Sequence, residues 1–71
     1  MTFTLKHETT DNYYIRIDQD KGMTGFTVVA SERVYVGDPV YRECKRNTYP
    51  TYEMACKRFN YLKREAKKGN L

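Results

Sequence analysis

Hydrophobic and polar residues alternate along the first two thirds of the chain, and this alternation predicts β-strands. The clearest segment is NYYIRID, in which Tyr13, Ile15 and Ile17 share one face and polar or aromatic residues share the other. A period of two with β-branched and aromatic residues is typical of a half-buried strand. The pattern predicts strands at residues 2–7, 12–18, 25–36 and 39–46.

Polar, glycine and proline residues separate these strands. The segment TTDN predicts a turn, and QDKGMTG predicts a loop because it combines two glycines with charged residues. Gly37 and Pro39 interrupt the chain between the third and fourth strands. In the fourth strand Arg42 falls on the otherwise apolar side, which indicates a bulge or a face that loses its apolar character.

The period changes after Pro50, and the rest of the chain predicts a helix over residues 51–68. Thr51 is a good N-cap, and Gly69 can end the helix. Apolar residues recur every three or four positions, which is the spacing of one buried helical stripe. The predicted stripe consists of Tyr52, Ala55, Phe59, Leu62 and Ala66.

These elements predict an α+β fold for the 71-residue chain, as a single small domain at residues 1–71. Three or four antiparallel strands form a β-meander, and a single C-terminal α-helix covers one face of the sheet. A sheet of this size needs such a cover to be stable. The covered face is expected to carry Tyr13, Ile15, Ile17, Phe26 and Val28.

Charge is distributed unevenly along the sequence. Residues 1–41 hold four cations and six anions, whereas residues 42–71 hold nine cations and three anions. The two parts therefore carry formal charges of −2 and +6, which sum to the +4 of the whole chain. Such asymmetry favours an anionic partner.

The sequence contains no recognisable catalytic constellation. His7 is the only histidine, and Asp18 and Asp20 flank a predicted turn, where acids commonly bond the backbone. Cys44 and Cys56 lack the CxxC spacing of zinc and redox sites, and two buried, reduced thiols are favoured over a disulfide. We therefore expect no enzyme activity, cofactor, metal or small-molecule substrate.

No apolar run in the sequence has the length of a signal peptide or of a membrane span. This predicts a cytoplasmic protein without a membrane partner. A basic amphipathic helix can bind anionic lipid, but here its apolar stripe is needed to cover the sheet.

Two surfaces could bind a polyanion. One is the basic side of the helix together with the end of the last strand, although a solvated helical face would look similar. The other is the sheet face turned away from the helix, expected to show Tyr14, Arg16, Thr27, Val29, Tyr41 and Lys45, although ordinary cross-strand pairing is the alternative. The predicted nucleic-acid-binding residues are Tyr14, Arg16, Tyr41, Lys45, Arg46, Lys57, Arg58, Lys63 and Arg64.

The layout of residues 12–66 resembles small DNA-binding modules with three strands and a helix, found in phage-type tyrosine integrases and plant AP2-type factors. The similarity rests on the three strand segments and on Thr51, Glu53 and Ala55, with Met54 where those modules have a glutamate. The resemblance implies a sheet that enters the major groove of DNA. The acid-rich first half of this chain differs from the strongly basic sheet of those modules.

Two functional hypotheses follow. The first is a small nucleic-acid-binding module, an accessory or regulatory protein of phage or mobile-element type, with DNA favoured over RNA. The alternative is a compact protein-binding inhibitor or adaptor that acts on a larger host protein complex, since Tyr and Arg are favoured at protein interfaces.

Overall fold

A computed structural model of the chain describes residues 2–20, 24–36 and 38–71, without the side chains of residues 2, 20, 35, 36, 38 and 39. It confirms the predicted α+β fold: one four-stranded antiparallel sheet in the order β1-β2-β3-β4, followed by one helix. The elements are β1 (Thr2–Thr9), β2 (Tyr13–Asp20), β3 (Phe26–Val36), β4 (Asp38–Tyr49) and α1 (Tyr52–Lys68).

The core lies between one face of the sheet and α1. Ile15, Ile17 and Val28 in the two central strands are fully buried there, opposite Phe59 and Leu62 of the helix. We call this face of the sheet the helix side and the opposite face the open face. Alternation of side chains places Tyr14, Arg16 and Val29 on the open face, as the sequence predicted.

The helix begins and ends where its capping residues predict. The Thr51 hydroxyl accepts a hydrogen bond of 3.3 Å from the Met54 amide. At the other end Gly69 has a φ of 76°, in the left-handed region, and its amide donates to the Ala66 carbonyl at 3.1 Å. Four stripe residues are buried, but Tyr52 is 41% exposed, so its assignment to the core is wrong.

Tyr52 lies at the edge of the core because it occupies the first residue of the helix. Its ring meets Phe26 edge-on, with the two ring centroids 5.6 Å apart. A hydrogen bond with the Cys56 side chain, one turn further on, raises the pKa of the Tyr52 hydroxyl.

Both edge strands contain a register shift, whereas the two central strands pair regularly. In β1 the shift lies between Thr4 and Lys6, so Leu5 is the extra residue. In β4, Lys45 pairs with Ala30 and Glu43 pairs with Ser31, so Cys44 is the extra residue. Bulges at sheet edges disrupt the ladder that another chain would otherwise extend.

Several boundaries and burial assignments differ from the prediction. Strand β4 continues to Tyr49, beyond the predicted end at residue 46, because its last residues still pair with β3. Phe3 and Leu5 do not form an apolar face, since the shift at Leu5 breaks their alternation and both are about half exposed. Asp18 lies inside β2 and not beside a turn.

The predicted loop QDKGMTG includes residues 21–23, which lie outside the described residues, as does Gly37. Both cysteines are free, as expected, but only Cys56 packs against the core. Cys44 is exposed because it is the extra residue of the bulge, and its thiol donates to the Ala30 carbonyl. Within the described part of the chain, no helix combines the length and the apolar character needed to cross a membrane.

Candidate nucleic-acid interface

The predicted site residues do not share one surface. Side-chain alternation and cross-strand pairing place four of them on the open face and four on the helix, while Lys45 lies on the helix side of the sheet. The open-face group is Tyr14, Arg16, Tyr41 and Arg46, and the helix group is Lys57, Arg58, Lys63 and Arg64. The Cα trace is 15 Å across in its thinnest direction, and the two groups lie on opposite sides of the molecule.

Lys45 was expected on the open face, and that expectation is wrong. Lys45 pairs with Ala30, a core residue, and directly paired residues of antiparallel strands point to the same face. The extra residue Cys44 makes this possible, because it lets Glu43 and Lys45 point to opposite faces although they are two positions apart.

The open face brings three aromatic rings together. The rings of Tyr14 and Tyr41 belong to β2 and β4 and approach each other across β3, with centroids 5.6 Å apart. His7 of β1 stacks on Tyr14 from the other side, at 5.9 Å and an interplanar angle of 23°. His7 was not among the predicted site residues. The bulge at Leu5 moves it to the open face, and no local sequence signal marks that bulge.

The two predicted open-face arginines are bound to carboxylates. Arg16 Nε lies 2.6 Å from Asp18 Oδ2, and the other oxygen of Asp18 accepts from the Thr4 hydroxyl at 2.8 Å. Arg46 donates two hydrogen bonds, of 2.9 and 2.6 Å, to Glu43 Oε1.

One of these ion pairs lies on β2 and the other on β4, and their charges influence each other across β3. The hydrogen bond from Arg46 lowers the pKa of the Glu43 carboxyl, and the charges of Arg46 and Arg16 lower it further. Arg16 and Arg46 are the two direct cross-strand neighbours of Val29, which is fully buried although it lies on the open face. Their aliphatic stems therefore cover the sheet while their charged ends bind acids.

The helix presents its cations differently. Lys57, Arg64 and Lys68 follow one another at intervals of seven and four residues, which aligns them along one ridge about 16 Å long. This ridge lies opposite the buried stripe, and all three residues are exposed. Among the described residues, no carboxylate lies within ion-pair distance of these three cations, whereas Arg16, Arg42 and Arg46 each pair with one.

The flanks of the ridge are also basic. Lys63 and Lys67 lie one helical turn apart on one flank, and Arg58 lies on the other. Arg58 is half-buried, with its guanidinium carbon 5.0 Å from the centre of the Tyr61 ring. Lys63, expected to be exposed, is also half-buried, because its position borders the buried stripe. Counting both flanks, α1 holds six cations and two acids, Glu53 and Glu65.

An open cleft of about 420 Å³ lies where the turn between β1 and β2 meets the end of α1. It is lined by Thr9, Thr10, Asp11, Asn12, Ala66, Lys67, Lys68 and Gly69. Lys67 and Lys68 bring cations to a helix C-terminus, which they stabilise. In the parts of the chain that the structure describes, no cluster of three His, Cys, Asp or Glu residues could hold a metal ion.

Comparison with known proteins finds no matching family model, no similar curated protein and no similar solved structure.

Proposed function

We propose that this protein is a non-enzymatic accessory module that binds the phosphate backbone of nucleic acid through the outer surface of α1. The observation that carries the proposal is the contrast between two sets of cations. Arg16 and Arg46 of the sheet are bound to carboxylates. In contrast, Lys57, Arg64 and Lys68 of the helix form an exposed ridge with no carboxylate within ion-pair distance among the described residues.

Such a ridge gains affinity by releasing the counterions condensed on a polyanion. Each neutralised phosphate of a duplex contributes about 0.9 to the slope of log affinity against log salt. The three ridge cations would therefore account for a slope of about −2.7. On the sequence and charge pattern, we propose a cytoplasmic accessory or regulatory protein of phage or mobile-element type, with DNA favoured over RNA as its partner.

The experiment measures fluorescence anisotropy of a labelled duplex of about 20 base pairs, at salt concentrations from about 50 to about 200 mM. The test variant is Lys57→Gln, Arg64→Gln and Lys68→Gln combined. The control is Arg42→Gln, Lys45→Gln and Arg46→Gln combined, which removes the same charge from β4. Circular dichroism checks that both variants keep their fold.

We expect the wild-type chain to bind with a negative salt slope, and the helix variant to lose about 2.7 of that slope. The β4 variant should keep the wild-type slope. No binding of the wild-type chain at about 50 mM salt would reject the proposal. Equal losses in both variants would show that net charge, and not the helix ridge, causes binding.

A second candidate function is a protein-binding inhibitor or adaptor on a larger host complex. It is favoured by two exposed residues on the helix, Met54 and Tyr61, at 45% and 44% exposure, with Arg58 stacked on the Tyr61 ring. Met, Tyr and Arg are enriched in protein interfaces. A partner that is retained from a nuclease-treated lysate by the wild-type chain and lost with Tyr61→Gln would favour this function.

A further inference from the structure

Three aromatic rings form a continuous row across the open face, on the side of the molecule opposite the helix ridge. His7, Tyr14 and Tyr41 come from three different strands, and both ring pairs lie within 6 Å between centroids: 5.9 Å and 5.6 Å. His7 is exposed, Tyr41 is 44% exposed and Tyr14 is half-buried. The row is therefore accessible, and the outer rings have surface left for a further planar group.

The charges around this row do not favour a phosphate backbone as its main contact. Arg16 and Arg46 lie on the same face, but Asp18 and Glu43 accept their hydrogen bonds. The aromatic rings therefore offer an exposed surface to a ligand on this face. Every nucleic-acid base has a planar aromatic face, so stacking on such rings adds affinity whatever the base.

We propose that the row His7–Tyr14–Tyr41 stacks against unpaired bases, so that the nucleic acid bound by this protein includes a single-stranded segment. The inference rests on the proposed function and names the form of nucleic acid involved. Bases within a duplex are already stacked on their neighbours and cannot lie against the row, whereas unpaired bases of single strands can be splayed onto aromatic side chains.

Arg33, which lies next to the row, would then have a secondary role. Arg33 pairs with Tyr41 in the sheet and so points to the open face beside the end of the row. An arginine next to a stacked base supports it through its guanidinium plane and the adjacent phosphate. The open face would thus contact bases, while the helix ridge contacts backbone phosphates on the opposite side of the molecule.

The sequence supplies a specific probe, because His7 is the only histidine of the chain. Its ring protons give isolated signals in a proton NMR spectrum. We would titrate the protein with an unlabelled thymidine oligonucleotide of about ten residues, a length within the site size of small single-strand-binding folds. Stacking on the row should move the His7 ring signals upfield in a saturable way, together with those of Tyr14 and Tyr41.

The second measurement is the affinity of single-stranded oligonucleotide in row variants. Tyr41→Thr and Tyr14→Val should each weaken it about fivefold or more, while duplex affinity stays unchanged. Tyr41→Phe and Tyr14→Phe, which keep the rings, should retain wild-type affinity. These ring-keeping variants are the matched controls, because they change the same two positions and preserve the aromatic surface.

The outcomes separate this inference from the proposed function. If amide signals of α1 shift on titration while the His7 signals stay in place, the helix binds nucleic acid and the stacking proposal is overturned. Unchanged single-strand affinity in Tyr41→Thr would overturn it as well, and would assign the row to a protein contact or to the sheet alone. If neither the single-stranded oligonucleotide nor a duplex shifts any signal of the protein, both proposals fail.

Discussion

The hydroxyl of Tyr13 donates a hydrogen bond of 2.6 Å to the main-chain oxygen of Leu71. Tyr13 begins the second strand and its ring is buried in the core, whereas Leu71 follows the helix and packs against the same core. One hydrogen bond therefore joins the segment after the helix to the start of a central strand.

Removing that hydroxyl should destabilise the fold. Tyr13→Phe keeps the buried ring but loses the hydrogen bond, and we expect a loss of about 1 kcal/mol in the free energy of unfolding. Urea denaturation measures it. Tyr61→Phe, at an exposed position of the helix, is the control and should leave the unfolding midpoint in place. Equal stability of Tyr13→Phe and the wild-type chain would contradict the structural role of this bond.

Phe59 is the largest fully buried side chain of the helix. Phe59→Ala leaves a cavity between α1 and the sheet and should cost about 3–5 kcal/mol. Since small domains hold only about 0.05–0.15 kcal/mol of stability per residue, this loss takes much of the total. Thermal unfolding followed by circular dichroism should show a largely unfolded chain at room temperature, whereas Phe59→Leu should remain folded. If Phe59→Ala stays folded with a nearly unchanged melting temperature, Phe59 does not contribute to the core as the structure shows.

Thr51 caps the helix through its side-chain oxygen. Thr51→Ala should lower the free energy of unfolding by about 1 kcal/mol, because the Met54 amide loses its partner. Thr51→Ser keeps the hydroxyl and should restore most of the stability. If both variants are equally destabilised, the methyl group of Thr51, and not its hydroxyl, supports the start of the helix.

The stability should depend on pH through Glu43. Arg46 lowers the pKa of its carboxyl in the folded state below the usual value of 4.5. A lowered pKa in the folded state means that this group stabilises the fold above the unfolded pKa, and that the contribution is lost as the pH falls through the folded value. The wild-type chain should therefore exceed Glu43→Gln in stability at about pH 7, and the difference should shrink below about pH 4.

A double-mutant cycle isolates this pair. Glu43→Gln, Arg46→Gln and the combined variant should show a coupling at neutral pH that disappears in acid. A coupling that stays constant between about pH 7 and about pH 3 would show that the carboxylate charge does not contribute. High salt should also weaken the coupling, since both side chains are largely exposed, at 54% and 45%.

The fold could be predicted from the sequence because its signals are local. Tyr13, Ile15 and Ile17 alternate regularly in a central strand, and Ala55, Phe59 and Leu62 follow helical spacing, so both elements and their buried faces were correct. Thr51 and Gly69 fixed the ends of the helix for the same reason.

The site could be predicted only in part, because bulges are not visible in local patterning. The extra residue in β1 brought His7 to the open face, and the extra residue in β4 took Lys45 away from it. The contact between Tyr14 and Tyr41 depends on strand pairing across β3, which alternation within one strand does not determine. The partners of Arg16 and Arg46 likewise depend on which acids the folded sheet brings near them.

Because Cys44 is the extra residue of a bulge, β4 could lose this residue and still pair with β3 as it does now. Ala30 faces Lys45 and Ser31 faces Glu43, so excision of Cys44 would leave these pairs adjacent and every other side chain on its present face. Excision of a residue from the regularly paired β2 or β3 would instead move every following side chain of that strand to the other face of the sheet. A homologous sequence that is one residue shorter at Cys44 should therefore still present the Tyr14–Tyr41 contact.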